Sequence, residues 1–446
     1  MRRWQIATIA LLVAIFAFEV YRAATQSITI DEARLYTDYL RPDPTVILHK
    51  YDAGHHILQT YLSWFFVHRF GWSEFILRLP SVLAAIAYLA FCYRFAKRIA
   101  AGSGVLLFAT ALLLAANPLI LDALVMARGY GLALALFAWS LLLGIESLER
   151  RTLPLAGILA GLSAAANLTF LIPTIALLAT VSVLQIRRNG GSLYHLIREY
   201  LGPALVVCAL LVMLPLTEMR LDLFYTGASS IWDAIGGTTR LMFARQPWGA
   251  SVIGYSAGLV AIAFLCFANR SNAFRITAFT LTLTLAATLL AHLRGVPYPT
   301  ARTAIAILFL IEVTVLTTSI RRYAYVPLLL CGLFLLFQND PRFFGEWKFD
   351  SRTKQVMRII QQRQNGHPAP YRISAHNDYA WTLNYYRLRF HQTNLEEIKT
   401  GGPHPGADYY LLHTAASAET IQTLHLNVIY QDPLCACLLA TAQAHQ

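Results

Sequence analysis

Stretches of roughly 20 apolar residues recur along most of this chain, divided by short Arg/Lys clusters, and they limit its fold more than any other feature. About 20 helical residues cross the hydrocarbon core of a bilayer, where only helices and closed barrels satisfy their own backbone. The stretches lie near 4–24, 80–98, 102–118, 120–147, 153–168, 170–187, 201–217, 249–268, 275–293, 301–320 and 323–338. That makes about eleven transmembrane helices. Hydrophobic residues form 57% of the chain and charged ones 13%, against about 25% charged in soluble domains. The expected fold is therefore an all-α polytopic membrane protein, with a small α/β domain at the C-terminal end.

The basic clusters carry the orientation. Arg2 and Arg3 precede the first stretch, and "YRFAKRI" (93–99), "ERR" (149–151), "IRR" (186–188), "NRSNAFR" (269–275) and "IRR" (320–322) close or join later ones. With the N-terminus inside, all of them fall on one side, which the positive-inside rule makes the cytoplasm. The net charge of +12 is thus read as topology, and no nucleic-acid partner is expected. The opening "MRRWQIATIALLVAIFAF" lacks a clear A-x-A cleavage site and is followed by Glu19 and Arg22, so it reads as an uncleaved first helix.

This topology divides the chain into a membrane domain, 1–339, and an extracytoplasmic α/β domain, 340–446. The first external loop, 25–79, carries interfacial helices. A second loop, 218–248, and turns at 117–130 and 292–302 share that outer side. In the tail, "ADYYLLHT" (407–414) and "NVIYQD" (427–432) alternate like strands, and "SRTKQVMRIIQQRQ" (351–364) reads as a helix. The tail has no glycine-rich phosphate loop. No internal repeat suggests an inverted-repeat transporter. Cys92, Cys208, Cys266 and Cys331 lie in apolar stretches as packing residues. Cys435 and Cys437 form C-x-C, where a disulfide is expected to be strained and the evidence for a metal is weak.

Chemistry concentrates on the outer side. "ITIDEARLYTDYL" (28–40) places Asp31 and Glu32 where the first helix leaves the membrane. Capping of a short helix accounts for one of these carboxylates. Further along the loop, His56, Gln59, Thr60 and Ser63 recur at helical spacing, with Leu58, Tyr61, Leu62 and Phe65 on the facing stripe. That pattern is a helix lying in the membrane interface. "ANPLILDALVMARGYGLALALF" (116–137) carries Asp122, Arg128 and Tyr130. An ionisable residue at this depth is either a snorkelling anchor or a functional group, and a guanidinium suits a phosphate. "HLRGVPYPTART" (292–303) brings His292, Arg294, Tyr298 and Arg302 to the same face. His49, Asp52, His55 and His56 keep a divalent metal open as a cofactor, although their spacing matches no standard zinc pattern. Otherwise they are substrate contacts or interfacial polar residues. Glu312 reads as structural, and "NLT" (167–169) as a tight turn that is not glycosylated.

These segments resemble the GT-C superfamily of membrane glycosyltransferases, in particular the branch of protein O-mannosyltransferases and lipid A aminoarabinose transferases. The acidic pair Asp31-Glu32 is similar to that superfamily's hallmark after the first span. "GWSEFILRLPSVLAAIAYLAFCYRFAKRI" (71–99) resembles its exit into the second span, and "ARGYGLAL" (127–134) its Arg-x-Tyr element. The resemblance is clearest over 28–147. It implies Asp31 as catalytic base with Glu32 beside it, and Arg128 and Tyr130 lining the lipid-phosphate site; Arg294 and Arg302, from 292–303, are further candidates for the donor phosphate or, alternatively, interface anchors. It also implies a polyprenyl-phosphate sugar donor, a lipid, glycan or protein acceptor, inversion by direct displacement, and an extracytoplasmic site in a bacterial inner membrane. His55 departs from the pattern, since bacterial relatives often have Asn before the His. The rival reading is a transporter or flippase of a lipid-linked sugar; a third, a scaffold with a receptor-like external domain, leaves the arginines unexplained.

Overall fold

The computed structural model describes residues 1–52, 54–150, 152–189, 192–217, 227–243, 271–318, 325–364 and 369–442. The expected span at 249–268 and the cluster at 320–322 lie outside them, as do residues 218–226 and 244–248 of the second loop. In chain order the principal helices are α1 (Arg2–Thr25), α2 (Ile30–Leu35), α3 (Ile57–Phe70), α4 (Glu74–Ile99), α5 (Gly104–Ala115), α6 (Pro118–Val125), α7 (Tyr130–Glu146) and α8 (Leu153–Ala166). There follow α9 (Leu168–Arg187) and α10 (Leu193–Met213). The remainder are α11 (Ile231–Met242), α12 (Asn272–His292), α13 (Ile305–Thr317), α14 (Tyr325–Gln338), α15 (Thr353–Gln364) and α16 (Asn377–Arg389).

The chain is an integral membrane protein, mostly helical. Among the described residues five helices, α1, α4, α9, α10 and α12, are long and apolar enough to cross a membrane. The pair α5 and α6, bent by 62° at its break, makes up to six. The count of eleven is not established. Helices α7, α8 and α14 are apolar but shorter, and a 14-residue helix is only about 21 Å long against a hydrocarbon core of about 30 Å. The stretch 120–147 is also not one helix. It stops at Val125 and resumes at Tyr130, with Gly129 in the left-handed region at φ 71°.

Two compact units divide the described chain. The first comprises Met1–Ala23, Thr45–Phe66 and Arg78–Asn339. Its core is aromatic where the long helices meet: Phe91 of α4 lies 5.6 Å from Phe309 of α13, and the Tyr88 hydroxyl donates to the Leu114 carbonyl at 2.9 Å. Arg94 pairs with Glu146 at 2.6 Å and Arg98 with Glu149 at 2.9 Å, so the clusters that contain Arg98 and Glu149 meet at one end of this unit. Glu312, fully buried, accepts from the Asn117 amide at 2.9 Å, the partner that a structural role requires. Helix α8 approaches α10 through Gly157 and Gly161. Without Cβ atoms these let two helix backbones come close, as small residues do in membranes.

The second unit gathers Ala24–Pro44, Val67–Leu77 and Asp340–Gln446. Its four-stranded sheet has the order β1 (Ile373–Ala375), β2 (Tyr409–His413), β4 (Cys437–Ala442), β3 (Leu426–Asp432). β1 runs parallel to β2, and the other two pairs are antiparallel. The expected helix and two strands appear as α15, β2 and β3, while β1, β4 and α16 were not anticipated. Segments of the first loop pack on α16: Tyr36 stacks on Trp72 at 4.6 Å, and Tyr385 meets both rings edge-on at 5.5 Å. Cys435 and Cys437 are disulfide-bonded. Ala436, at φ 50°, lies between them, and their Cα atoms stand 5.2 Å apart.

A Cβ at position 161 would lie 2.6 Å from the Ala204 carbonyl oxygen and 3.0 Å from the Val207 side chain. Gly161→Val is therefore expected to destabilise the first unit by about 1–3 kcal/mol through overpacking. The thermal midpoint of purified protein would report this, with Leu155→Val, at an exposed position on the same helix, leaving the midpoint unchanged.

Candidate functional site

In the second unit the acidic pair is divided by local geometry. Thr29 caps α2: its hydroxyl accepts from the Glu32 N–H at 3.3 Å, and Glu32 Oε2 accepts from the Thr29 N–H at 3.0 Å. This is a reciprocal capping box, and Glu32 is fully buried in it. The cap belongs to Glu32, so capping does not account for Asp31, which follows Ile30 in the same first turn and is half-buried.

A second carboxyl, missed in the sequence, stands near Asp31. Asp350 is 1% exposed and its Oδ2 accepts from the Ile30 N–H at 2.7 Å. Burial pushes its pKa well above the ordinary value of 3.8; the Ile30 hydrogen bond opposes this, and the charges of Asp31, Asp378 and Glu32 add to it. Around the same turn, Glu74 receives Lys354 Nζ at 2.7 Å and the Tyr386 hydroxyl at 3.2 Å, while that hydroxyl accepts from the Ile28 N–H at 2.7 Å. The partners lie some 280 to 360 positions apart, so no local pattern could have announced them.

In the first unit, Arg128 occupies the break between α6 and α7. It is 4% exposed and its Nη1 donates to the Gly54 carbonyl at 3.3 Å. Asn167, of "NLT", is also buried and spends its amide on the Arg128 carbonyl at 3.3 Å. Gly129 is required here twice over: its φ is positive, and a Cβ would collide with the Ala166 carbonyl and lie 3.0 Å from His56 Cβ. His56 packs its ring 5.3 Å from that of Tyr130. Burial holds the His56 imidazole well below its ordinary pKa of 6.5, and Arg128, Arg302 and His55 lower it further. Its Nε2 is buried with no hydrogen-bond partner among the described residues. Arg128, Tyr130, His56 and Arg302 are thus brought together around an uncharged imidazole.

The other candidates make contacts of their own. His55 hydrogen-bonds through Nδ1 to the Lys50 carbonyl at 2.8 Å, and burial drives its pKa down to about 4. Asp52 accepts from the Gly54 N–H at 2.7 Å and lies 3.9 Å from Lys50 Nζ. His49 is exposed. Among the described residues, the side chains that converge as metal ligands do are not these four but a set in the second unit. Asp122 is ion-paired with Arg22, which also reaches Glu19. His292 stacks on Tyr298 at 3.7 Å and bonds to the Val296 carbonyl at 3.0 Å, and Arg294 is exposed on that turn. Helix α3 has the inside-out character read from its pattern, with Gln59, Thr60 and Ser63 buried and Phe65 and Phe70 exposed.

No protein-family model matches the chain, and no curated protein matches it. In three dimensions it is similar to ArnT from Cupriavidus metallidurans in the apo state, at 14% identity and TM-score 0.48, covering 99% of this chain and 98% of that one. The same protein bound to undecaprenyl phosphate gives 13% identity and TM-score 0.43, again over 99% and 98%. The arabinofuranosyltransferase AftD from Mycobacteria gives 14% and 0.46, over all of this chain but 40% of the other. At such identities and scores the likeness carries no claim about activity.

The raised pKa of Asp350 has a testable sign. The native carboxyl holds a proton that the unfolded chain releases above pH 3.8. Its contribution is therefore full below that pH and falls as pH rises toward the native value. Asp350→Asn keeps an acceptor for the Ile30 N–H without that dependence. Melting curves between pH 5 and 8 should show the Asn variant losing less stability with rising pH than wild type. Asp350→Ala, which orphans the N–H, should be weaker throughout by about 1–3 kcal/mol.

Proposed function

We propose that the protein is a membrane glycosyltransferase. It moves a sugar from a polyprenyl-phosphate carrier to a lipid, glycan or protein acceptor on the extracytoplasmic side. The observation that carries this reading is the division of the acidic pair: Glu32 is consumed by the cap, and Asp31 sits beside a buried carboxyl, Asp350, that favours its proton. A carboxyl that keeps its proton close to a second carboxyl is a common setting for acid–base work.

In the proposed reaction an acceptor hydroxyl attacks the anomeric carbon. A carbon–oxygen bond to the acceptor forms as the bond to the phosphate oxygen breaks, with inversion. Asp31 takes the hydroxyl proton as general base. The departing lipid phosphate carries the negative charge, which the guanidinium groups of Arg128 and Arg302 and the hydroxyl of Tyr130 stabilise. The uncharged His56 contributes a ring nitrogen that lacks a hydrogen-bond partner among the described residues. Arg294, exposed on its turn, is suited to contact with lipid headgroups. The reaction needs no soluble nucleotide sugar, which fits a compartment outside the cytoplasm. The Arg/Lys distribution and the Cys435–Cys437 disulfide support an N-terminus inside and a C-terminal part in an oxidising compartment.

The test compares wild type, Asp31→Asn and Arg128→Gln in the same membranes, each supplied with polyprenyl-phosphate sugars carrying a labelled glycosyl group. Wild type should release label to acceptor. Asp31→Asn should bind donor normally and lose transfer by about 10²–10⁴-fold, and Arg128→Gln should lose donor binding as well. If wild type carries the lipid across the bilayer without cleaving the sugar–phosphate bond, the protein is a flippase and the proposal fails.

A further inference from the structure

The second unit contains a cluster that the proposed transfer reaction does not use. His376, Asp378 and His413 offer one ligand atom each, all within 4.8 Å of one another. Two edges are shorter: Asp378 Oδ2 lies 3.2 Å from His413 Nε2 and 3.5 Å from His376 Nδ1. Metal–ligand bonds of about 2.0–2.1 Å in tetrahedral geometry place ligand atoms about 3.3 Å apart. We propose that His376 Nδ1, the Asp378 carboxylate and His413 Nε2 form a zinc site with an open fourth position.

The fold delivers these residues through register. β1 runs parallel to β2 with Ala375 opposite Leu411, and the His376 N–H donates to the Leu411 carbonyl at 3.1 Å. His376 therefore leaves the sheet beside the end of β2, where His413 stands. His376 is also the N-cap residue of α16, so Asp378 falls in the first helical turn. The two imidazole rings sit 4.6 Å apart at 69°. His376 Nδ1 is buried and makes no hydrogen bond among the described residues, although it points toward the carboxylate.

A supporting shell is present. His413 Nδ1 lies 2.8 Å from the hydroxyl of Tyr379, a residue buried in the core. With Nε2 given to the metal, Nδ1 carries the proton and donates it to that hydroxyl. A group that fixes the tautomer of a metal-binding histidine in this way is a regular part of zinc sites. Two histidines and one carboxylate suit zinc, and three protein ligands leave a fourth position for water or an oxygen anion. The Asp378 and His376 side chains are 45% and 43% exposed, so that position is open to solvent. The rival arrangement is metal-free, with Asp378, His413 and Tyr379 joined in a hydrogen-bonded chain.

The experiment uses full-length, tag-free protein in detergent, stripped with a chelator and titrated with zinc against a chromophoric indicator. Wild type should bind one zinc per chain at this site. His376→Gln and His413→Ala should each weaken that binding by at least tenfold, and Tyr379→Phe by about tenfold. Zinc should raise the melting midpoint of wild type but not of His376→Gln, whose partly exposed side chain makes it the variant least prone to misfold. Cobalt(II) bound to wild type should give the visible absorption of a four-coordinate site, absent from both histidine variants. Equal zinc affinity and stoichiometry in wild type and both histidine variants would overturn the site. So would a wild type that takes up no zinc while all variants melt normally in chelator.

Discussion

The cost of keeping charge away from water governs this molecule. In a low-dielectric interior an ionised side chain costs several kcal/mol unless a partner meets it, and within a bilayer no water is at hand. The first unit answers by pairing. Arg22 of α1, almost fully buried, takes Glu19 and Asp122 together, which ties α1 to α6 at a fixed register. Arg78, fully buried in α4, reaches back to the Ala23 carbonyl at 3.1 Å. Asn117, at the head of α6, holds Glu312 of α13. Apart from Arg22–Glu19 within α1, these contacts join segments far apart in the chain, so the polar atoms that apolar packing tolerates least also define which helices are neighbours.

That constraint separates what the sequence could reveal from what it could not. Residue types at short spacing were legible: the acidic pair at 31–32, the Arg-Gly-Tyr at 128–130, and the inside-out helix after His56. Their roles were less so. Asp122 and Arg128 looked alike as ionisable groups at one membrane edge, yet Asp122 is ion-paired with Arg22 from α1, a hundred positions away. Hydropathy likewise reports that a stretch is apolar, not that it forms one helix. The stretch 120–147 is two helices because Met126 leaves the first in extended conformation and Gly129, left-handed, opens the second, while Gly157 and Gly161 serve close helix packing instead.

The C-terminal part shows the same limit from the other side. β2 and β3 were recognisable from alternation, but β1 is only three residues long and exists because β2 pairs with it. α16 carries Tyr379, Tyr385, Tyr386 and Trp381 in a pattern with little amphipathic contrast. Tyr385 meets Tyr36 and Trp72 from the first loop, while Tyr379 packs on Phe349 and His413. Segments 24–44 and 67–77 belong with this part, a grouping that hydropathy and charge leave hidden because both score loops simply as gaps between spans.

Asp350 completes at the start of α2 the capping that Glu32 begins. A helix of six residues has few backbone bonds of its own, and its first N–H groups need outside acceptors. Glu32 and Asp350 supply them, from within the turn and from the C-terminal segment, at Thr29 and Ile30 respectively. Both acceptors are buried, and Asp350 favours its proton. The first turn, which also carries Asp31, is thereby held from both sides, by Glu32 within it and by Asp350 from the C-terminal segment.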